Sequence, residues 1–178
     1  MLNKRQKIQK ELDKPEMILT FKLLGVLLAA FVLFMVVSIA FLLKLIIKTA
    51  PQDVQERLKD RPDPPLWKTI LGIVLAAVCL MAIAAVFICA GKDAVRSGMT
   101  FGQIFVRFLI LFEGYKLFDM IFLDWLMLTK LNVYQRFFPE VIGCESMEKF
   151  GFNLKSQVAK IVIFAILALV VAFILCRI

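Results

Sequence analysis

Four apolar runs of bilayer-crossing length, at 23–43, 70–90, 101–130 and 158–176, leave this chain few ways to fold. A transmembrane α-helix needs about 20 predominantly apolar residues to cross a hydrocarbon core about 30 Å thick. The first run, at about 1.5 Å of rise per residue, covers about 31 Å. The connectors between the runs are too short for a sizeable soluble domain. The expected fold class is therefore all-α: an integral membrane bundle of four transmembrane helices forming a single domain over residues 1–178, with a long loop between the third and fourth. Composition agrees, since 61% of the residues are hydrophobic against about 45–50% in soluble domains.

The third run differs from the others because it is charged. It reads FGQIFVRFLILFEGYKLFDMIFLDWLMLTK and carries Arg107, Glu113, Lys116, Asp119 and Asp124. If 104–128 faces hydrocarbon, Lys116 sits at its middle, and Glu113 and Asp119 lie about 4.5 Å of rise to either side. Ionisable residues at a helix centre cost roughly 2.5–3.5 kcal/mol each on an insertion scale, or about 7–10 kcal/mol for the three if unpaired. The Leu, Ile, Phe and Val residues of the same run return roughly 4–9 kcal/mol. The helix is marginal alone and depends on internal pairs and neighbours. Glu113 to Lys116 and Lys116 to Asp119 are i,i+3 steps, so these side chains can meet on one face. On an α-helix, Glu113, Lys116, Asp119 and Asp124 span an arc of about 140°, the separation of Asp119 from Asp124. That arc should face the protein interior or water and is the expected ligand or ion pathway. Arg107 lies off the arc and nearer one end, where it is expected to snorkel. With Trp125 and Lys160 it forms the supporting set.

The connectors supply starts, stops and packing surfaces. Residues 1–16 are a basic N-terminal segment, too charged and followed by too long an apolar run for a cleavable signal peptide. Asp13, Pro15 and Glu16 are placed to begin the first helix. Residues 52–59 fit a short polar helix, followed by a stiff proline-rich stretch through Pro65. Gly72 and Ala76 in the second span, and Ala165, Ala168 and Ala172 in the fourth, are small residues at helical spacing that let helices approach closely. Residues 91–100 read as a short turn, so the second and third spans should pack as an antiparallel hairpin. Thr100 and Gln103 fit a capping box that starts the third helix. The 131–157 loop carries Tyr134, Phe137, Phe138, Phe150 and Phe152, which suit either a lid over the bundle end or an aromatic anchor at the membrane surface.

Charge and cysteine usage narrow the chemistry. The net charge of +8 fits Lys and Arg flanking spans at a lipid surface, and there is no basic soluble module for nucleic acid. The chain has no His, which removes the usual neutral-pH base and the commonest metal ligand. Cys79, Cys89, Cys144 and Cys176 form no C-x-x-C pair and read as small apolar residues, with Cys144 alone in a loop. No metal, cofactor or Gly-rich phosphate loop is implied. The expected partners are the lipid bilayer and either a second copy of the chain or another membrane protein. Four spans put both termini on one side, and the dense Lys and Arg before the first span favour the cytoplasm.

The run from Leu117 to Leu126, LFDMIFLDWL, followed by Phe138-Pro139-Glu140 and Gly143, resembles small bacterial multi-pass membrane proteins with a D-x-x-x-x-D-W transmembrane helix. The resemblance implies a bacterial plasma-membrane protein and carries no activity with it. Three functions remain open from the residues. Glu113, Asp119 and Asp124, with Lys116 as internal counter-ion, suit ion- or proton-linked transport or small-ligand binding. The same charges suit a non-catalytic assembly or regulatory subunit that pairs with a partner's helix. A lipid-modifying enzyme is the weakest of the three, because Asp119 and Asp124 are not a tight pair and no His supports them.

Overall fold

The computed structural model describes residues 15–42, 47–48, 50–62, 64–130, 135–136, 138–148 and 154–178. Asp13, most of the basic N-terminal segment, and Tyr134, Phe137, Phe150 and Phe152 of the long loop lie outside the described residues. Among the described residues every regular element is helical. In chain order they are α1 (Pro15–Phe41), α2 (Gln52–Leu58), α3 (Leu66–Arg96), α4 (Phe101–Phe118), a π-helical continuation of α4 (Asp119–Lys130), a 3₁₀ turn (Pro139–Val141), α5 (Glu145–Glu148) and α6 (Leu154–Leu175).

The helix boundaries follow local chemistry. Pro15 opens α1, where its missing N–H costs nothing. The second span is longer than the apolar run suggests, because α3 continues through Gly91 to Arg96. It stops at a Schellman turn: Gly98 takes φ +60°, its N–H reaches the Val95 carbonyl at 3.1 Å, and the Met99 N–H reaches the Ala94 carbonyl at 3.0 Å. Two residues later the expected capping box starts α4. The Gln103 Oε1 accepts from the Thr100 N–H at 2.9 Å and from its hydroxyl at 3.0 Å.

Among the described residues, three helical stretches are long and apolar enough to cross a membrane: Glu16–Phe41, Leu66–Arg96 and Ser156–Leu175. Their outer faces expose large apolar side chains such as Leu33, Ile73, Met81, Ile166 and Phe173, a surface that suits lipid and not water. The third expected span is helical throughout 101–130, but its charges set it apart from these three.

Small residues set the close contacts. A Cβ on Gly72 would sit 2.5 Å from the Phe41 Cβ, so α1 and α3 can cross there only at glycine. Ala76 is buried beside Val37 and Leu42 at the same crossing. A Cβ on Gly114 would lie 3.0 Å from both terminal methyl carbons of Leu24, which marks the contact of α4 with α1. Ala168 and Ala172 are fully buried where α6 meets α4 and α3, while Ala165 is only half-buried. Thr20 of α1 reaches Arg107 of α4, and Phe31 meets Tyr115 edge to face at 4.6 Å. The two helices therefore run in the same direction, and α3 and α6 run the other way. Glu16, the α3–α4 turn and Leu175 share one end of the bundle; Leu42 and the long connectors share the other.

The α3–α4 hairpin differs from the expectation in extent. The two helices are close near their turn and are bridged by the stacked rings of Phe87 and Phe112, 5.0 Å apart. Beyond that α4 packs chiefly on α6 and α1, because α1 occupies much of the face of α3.

At the far end the two connectors dock on each other. Val54 and Leu58 of α2 form a small core with Phe138, Val141 and Cys144. The loop anchor is thus α2 for these residues, and Phe138 is buried in protein, not offered to the membrane surface.

Candidate functional site

The α4 helix and its π continuation hold two polar centres, about one and a half helical turns short of the ring stack and just beyond it. The first is Arg107, which is fully buried. Its Nε donates to the Thr20 Oγ1 at 3.0 Å and its Nη2 to the Glu16 carbonyl at 2.9 Å. Its Nη1 donates to the Ala90 carbonyl at 3.1 Å and to the Asp93 Oδ2 at 2.6 Å. The Thr20 hydroxyl in turn donates a hydrogen bond to the Glu16 carbonyl at 2.8 Å. A guanidinium stays charged and has five N–H donors in a rigid fork, and here the fork ties α1, α3 and α4 together. This corrects the expectation that Arg107 snorkels. A side chain aimed outward could reach headgroups, but this one points into the junction, where Asp93 and two carbonyls replace water.

The second centre lies about 13.5 Å further along the helix axis, nine residues on from Arg107. Lys116 is buried and its Nζ donates to the Asp119 Oδ2 in an i,i+3 ion pair. Lys116 is 3% and Asp119 21% exposed in their side chains, so the cation is the more enclosed partner. Glu113, the other expected flank, is not part of that pair. Its Oε1 is shielded from solvent and has no hydrogen-bond partner among the described residues. The structure thus brings Lys116 to Asp119 and leaves one oxygen of Glu113 unsatisfied one turn away.

The α-to-π change falls at Asp119. Hydrogen bonds that run i→i+5 set position 124 one π turn beyond position 119, so the α-helical separation of about 140° does not apply to this pair. The Asp124 side chain lies outside the described residues. Trp125 is exposed on the same segment. Lys160, near the start of α6, is exposed and forms no ion pair with Glu113 or Asp119 among the described residues.

A third polar node sits in the docked connectors and was not singled out from sequence. Asp53 accepts from the Ser146 hydroxyl at 2.8 Å and from the Ser146 N–H at 3.1 Å, and from the Val54 N–H at 3.0 Å. Burial pushes its carboxyl up, but the bonds from Ser146 and the adjacent N–H groups outweigh that and hold it below its ordinary value. Arg61 pairs with Glu140 at 3.1 Å and lies over the Phe138 ring at 4.8 Å. Cys144, the one cysteine that the sequence puts in a loop, is buried, with its Sγ 3.7 Å from the Asp53 carbonyl.

Among the described residues no three His, Cys, Asp or Glu side chains gather closely enough to hold a metal ion. No protein-family model, curated protein or solved structure matches the chain.

Proposed function

We propose that this is a four-span integral membrane protein whose third span, 101–130, carries an intramembrane site for ion- or proton-linked transport or small-ligand binding. The crossing of that span is supported by its helical backbone from Phe101 to Lys130. It is supported too by the arrangement of its ends. Arg107 binds at the Glu16 end, while the π segment contacts α5 within the docked connectors at the other.

The observation that carries the site is the Glu113 Oε1, shielded and without a partner. Leaving a buried polar atom unpaired costs about 1–3 kcal/mol, and more if it is charged. A proton, a cation or a ligand N–H would relieve that cost. Lys116 is already engaged by Asp119, so it does not quench Glu113 by direct contact. Asp124 follows five residues after Asp119 on the π segment, nearer the far end of the bundle. A bundle of four spans is narrow, so a continuous pathway would be completed by a second copy. The site belongs in a bacterial plasma membrane, with both termini cytoplasmic.

A second reading rests on the same atom. A donor from a partner's transmembrane helix would satisfy Glu113 equally well and make the chain an assembly or regulatory subunit.

The test is reconstitution into vesicles loaded with a pH-reporting dye, with an imposed potassium gradient and valinomycin to set the potential. Proton movement that is present for the parent and absent for Glu113→Gln and Asp124→Asn, both still inserted and folded, supports transport. A parent that moves no protons or small cations, and a Glu113→Gln variant that loses a copurifying membrane partner, would replace transport with assembly.

A further inference from the structure

At the Glu16 end of the bundle, α3 and α6 do not close fully over α4. Between them runs an open apolar crevice of about 490 Å³, walled by Phe87, Gly91, Phe108, Phe112, Val171 and Leu175. A second hollow of about 370 Å³ continues from it past Gly91 and Leu175 to Arg96 and the C-terminal residue. Lys92 stands on the lining of both hollows. We propose that this crevice binds one phospholipid with an anionic headgroup, its acyl chain lying between α3 and α6 and its phosphate held by Lys92 and Arg96.

Three observations converge on that occupant. The first is depth. Helix α3 has 31 residues, about 46 Å at 1.5 Å per residue, which exceeds the hydrocarbon core of about 30 Å. Its last turns, with Lys92 and Arg96, therefore reach the headgroup layer while Phe87 and Phe112 remain in hydrocarbon.

The second is charge. Lys92 and Arg96 are exposed and have no acidic partner among the described residues. The acid nearest them in sequence, Asp93, is taken up by Arg107 on the inner side of the helix. The Arg107 junction thus removes the local counter-ion and leaves two cations at the mouth of an apolar slot. Basic pockets between transmembrane helices are suited to anionic lipid headgroups for this reason.

The third is shape. Gly91 lines the crevice and puts no side chain into it. A Cβ there would meet the Leu175 methyl carbons at 3.5 and 3.8 Å and the Phe108 ring at 4.0 Å, which are ordinary contacts. Alanine is therefore accommodated, but a leucine at 91 would extend into the space the acyl chain needs.

The experiment uses the full chain in detergent and native mass spectrometry, titrated with phosphatidylglycerol, phosphatidylcholine or inorganic phosphate. Two cations at about 1 kcal/mol each make phosphatidylglycerol bind roughly thirtyfold more tightly than phosphatidylcholine. Lys92→Gln and Arg96→Gln each weaken phosphatidylglycerol roughly fivefold and weaken phosphatidylcholine less, because its choline cation offsets the charge on the phosphate. Gly91→Leu weakens both lipids, Gly91→Ala retains both as the folding control, and inorganic phosphate does not compete. Equal binding of the two lipids, or charge variants that match the parent, overturns the proposal. Competition by inorganic phosphate overturns it in favour of a bare anion site. A Gly91→Leu variant with parental lipid binding but altered oligomeric state overturns it in favour of a second copy covering the crevice. Because Glu113 takes no part in any of these measurements, the result stands apart from the transport reading.

Discussion

Arg107 and Asp93 form an ion pair at 2.6 Å across the α3–α4 turn. The turn at 97–100 lies between them in sequence, so the pair closes the hairpin from both sides. Arg107 is fully enclosed while Asp93 keeps 30% of its side-chain surface. That asymmetry decides which deletion hurts more. Asp93→Asn leaves a guanidinium that cannot lose its charge in a buried junction. Removing one partner of a buried pair typically costs about 3–5 kcal/mol; Asp93→Asn should lie toward the lower end, because three neutral acceptors remain on Arg107. Arg107→Lys should not restore the parent, since a single ammonium cannot fork to α1 and α3 together. Thermal unfolding in detergent measures both, and a parental midpoint for either variant would show that the junction does not hold the three helices.

The docked connectors make a pH-dependent contact. The Asp53 carboxyl is held below its ordinary value by Ser146 and neighbouring N–H groups despite the opposing effect of burial. A carboxyl lowered in the folded state stabilises above its unfolded pKa, and that stabilisation is lost as pH falls through the folded value. The cap should therefore be fully docked above about pH 4 and loosen below it. In a background where Cys89 and Cys176, both exposed, are serine, 4,4′-dithiodipyridine labelling of Cys144 reads the opening. Labelling should accelerate on acidification in the parent, be faster already at neutral pH in Ser146→Ala, and lose its acid dependence in Asp53→Asn. Acid-independent labelling of the parent would place the docking energy in the Val54–Phe138 core alone.

Much of this fold was legible because its signals are local. Period, length and flanking charge marked the helices; Pro15, Thr100 and Gln103 are punctuation that acts within a few residues of itself. Gly72 and Ala76 also showed their role, since only small residues allow the approach they make. What escaped reading depends on contacts distant in sequence. Arg107 was expected to reach outward because its helix face alone does not reveal that Thr20 and Asp93 converge on it. A signal was present, because Asp93 and Arg107 lie within two helical turns on either side of a short turn, and a tight hairpin brings such positions near one another. The meeting of Asp53 with Ser146 bridges two connectors and has no comparable sequence mark. The switch to π geometry at Asp119 changed the relation of the two aspartates, and a run such as DMIFLDWLMLTK suits either helical form by composition.

The four-span reading predicts the sidedness of reporters. Fusions after Arg96 and after Arg177 should report one side of the membrane, and fusions within 51–65 and 131–157 the other. Arg96 and Arg177 both lie at the Glu16 end of the bundle, as the proximity of Leu175 to Gly91 requires. If fusions in 131–157 instead reported the same side as those after Arg96, then 101–130 would lie along the membrane without crossing it.

The Lys116–Asp119 pair offers the sharpest separation of structure from function. Lys116→Met leaves Asp119 without its cation in a largely enclosed position, and loss of one partner from a buried pair costs about 3–5 kcal/mol. The double change Lys116→Met with Asp119→Asn should recover much of that loss, because no uncompensated charge remains where the pair was. Glu113→Gln added to the double should change stability far less than either member of the pair does alone, since Glu113 makes no bond to Lys116. Detergent thermal stability of the single, double and triple variants measures this, beside proton movement in vesicles. A Lys116→Met protein as stable as the parent would mean that the ammonium is solvated and that the pair does not hold this part of α4. If the double variant is stable and still moves protons while the triple does not, the pair is a lock and Glu113 is the group that carries the proton. If the double variant is stable and inactive, Lys116 or Asp119 takes part in the transfer itself, and the pathway includes the ion pair.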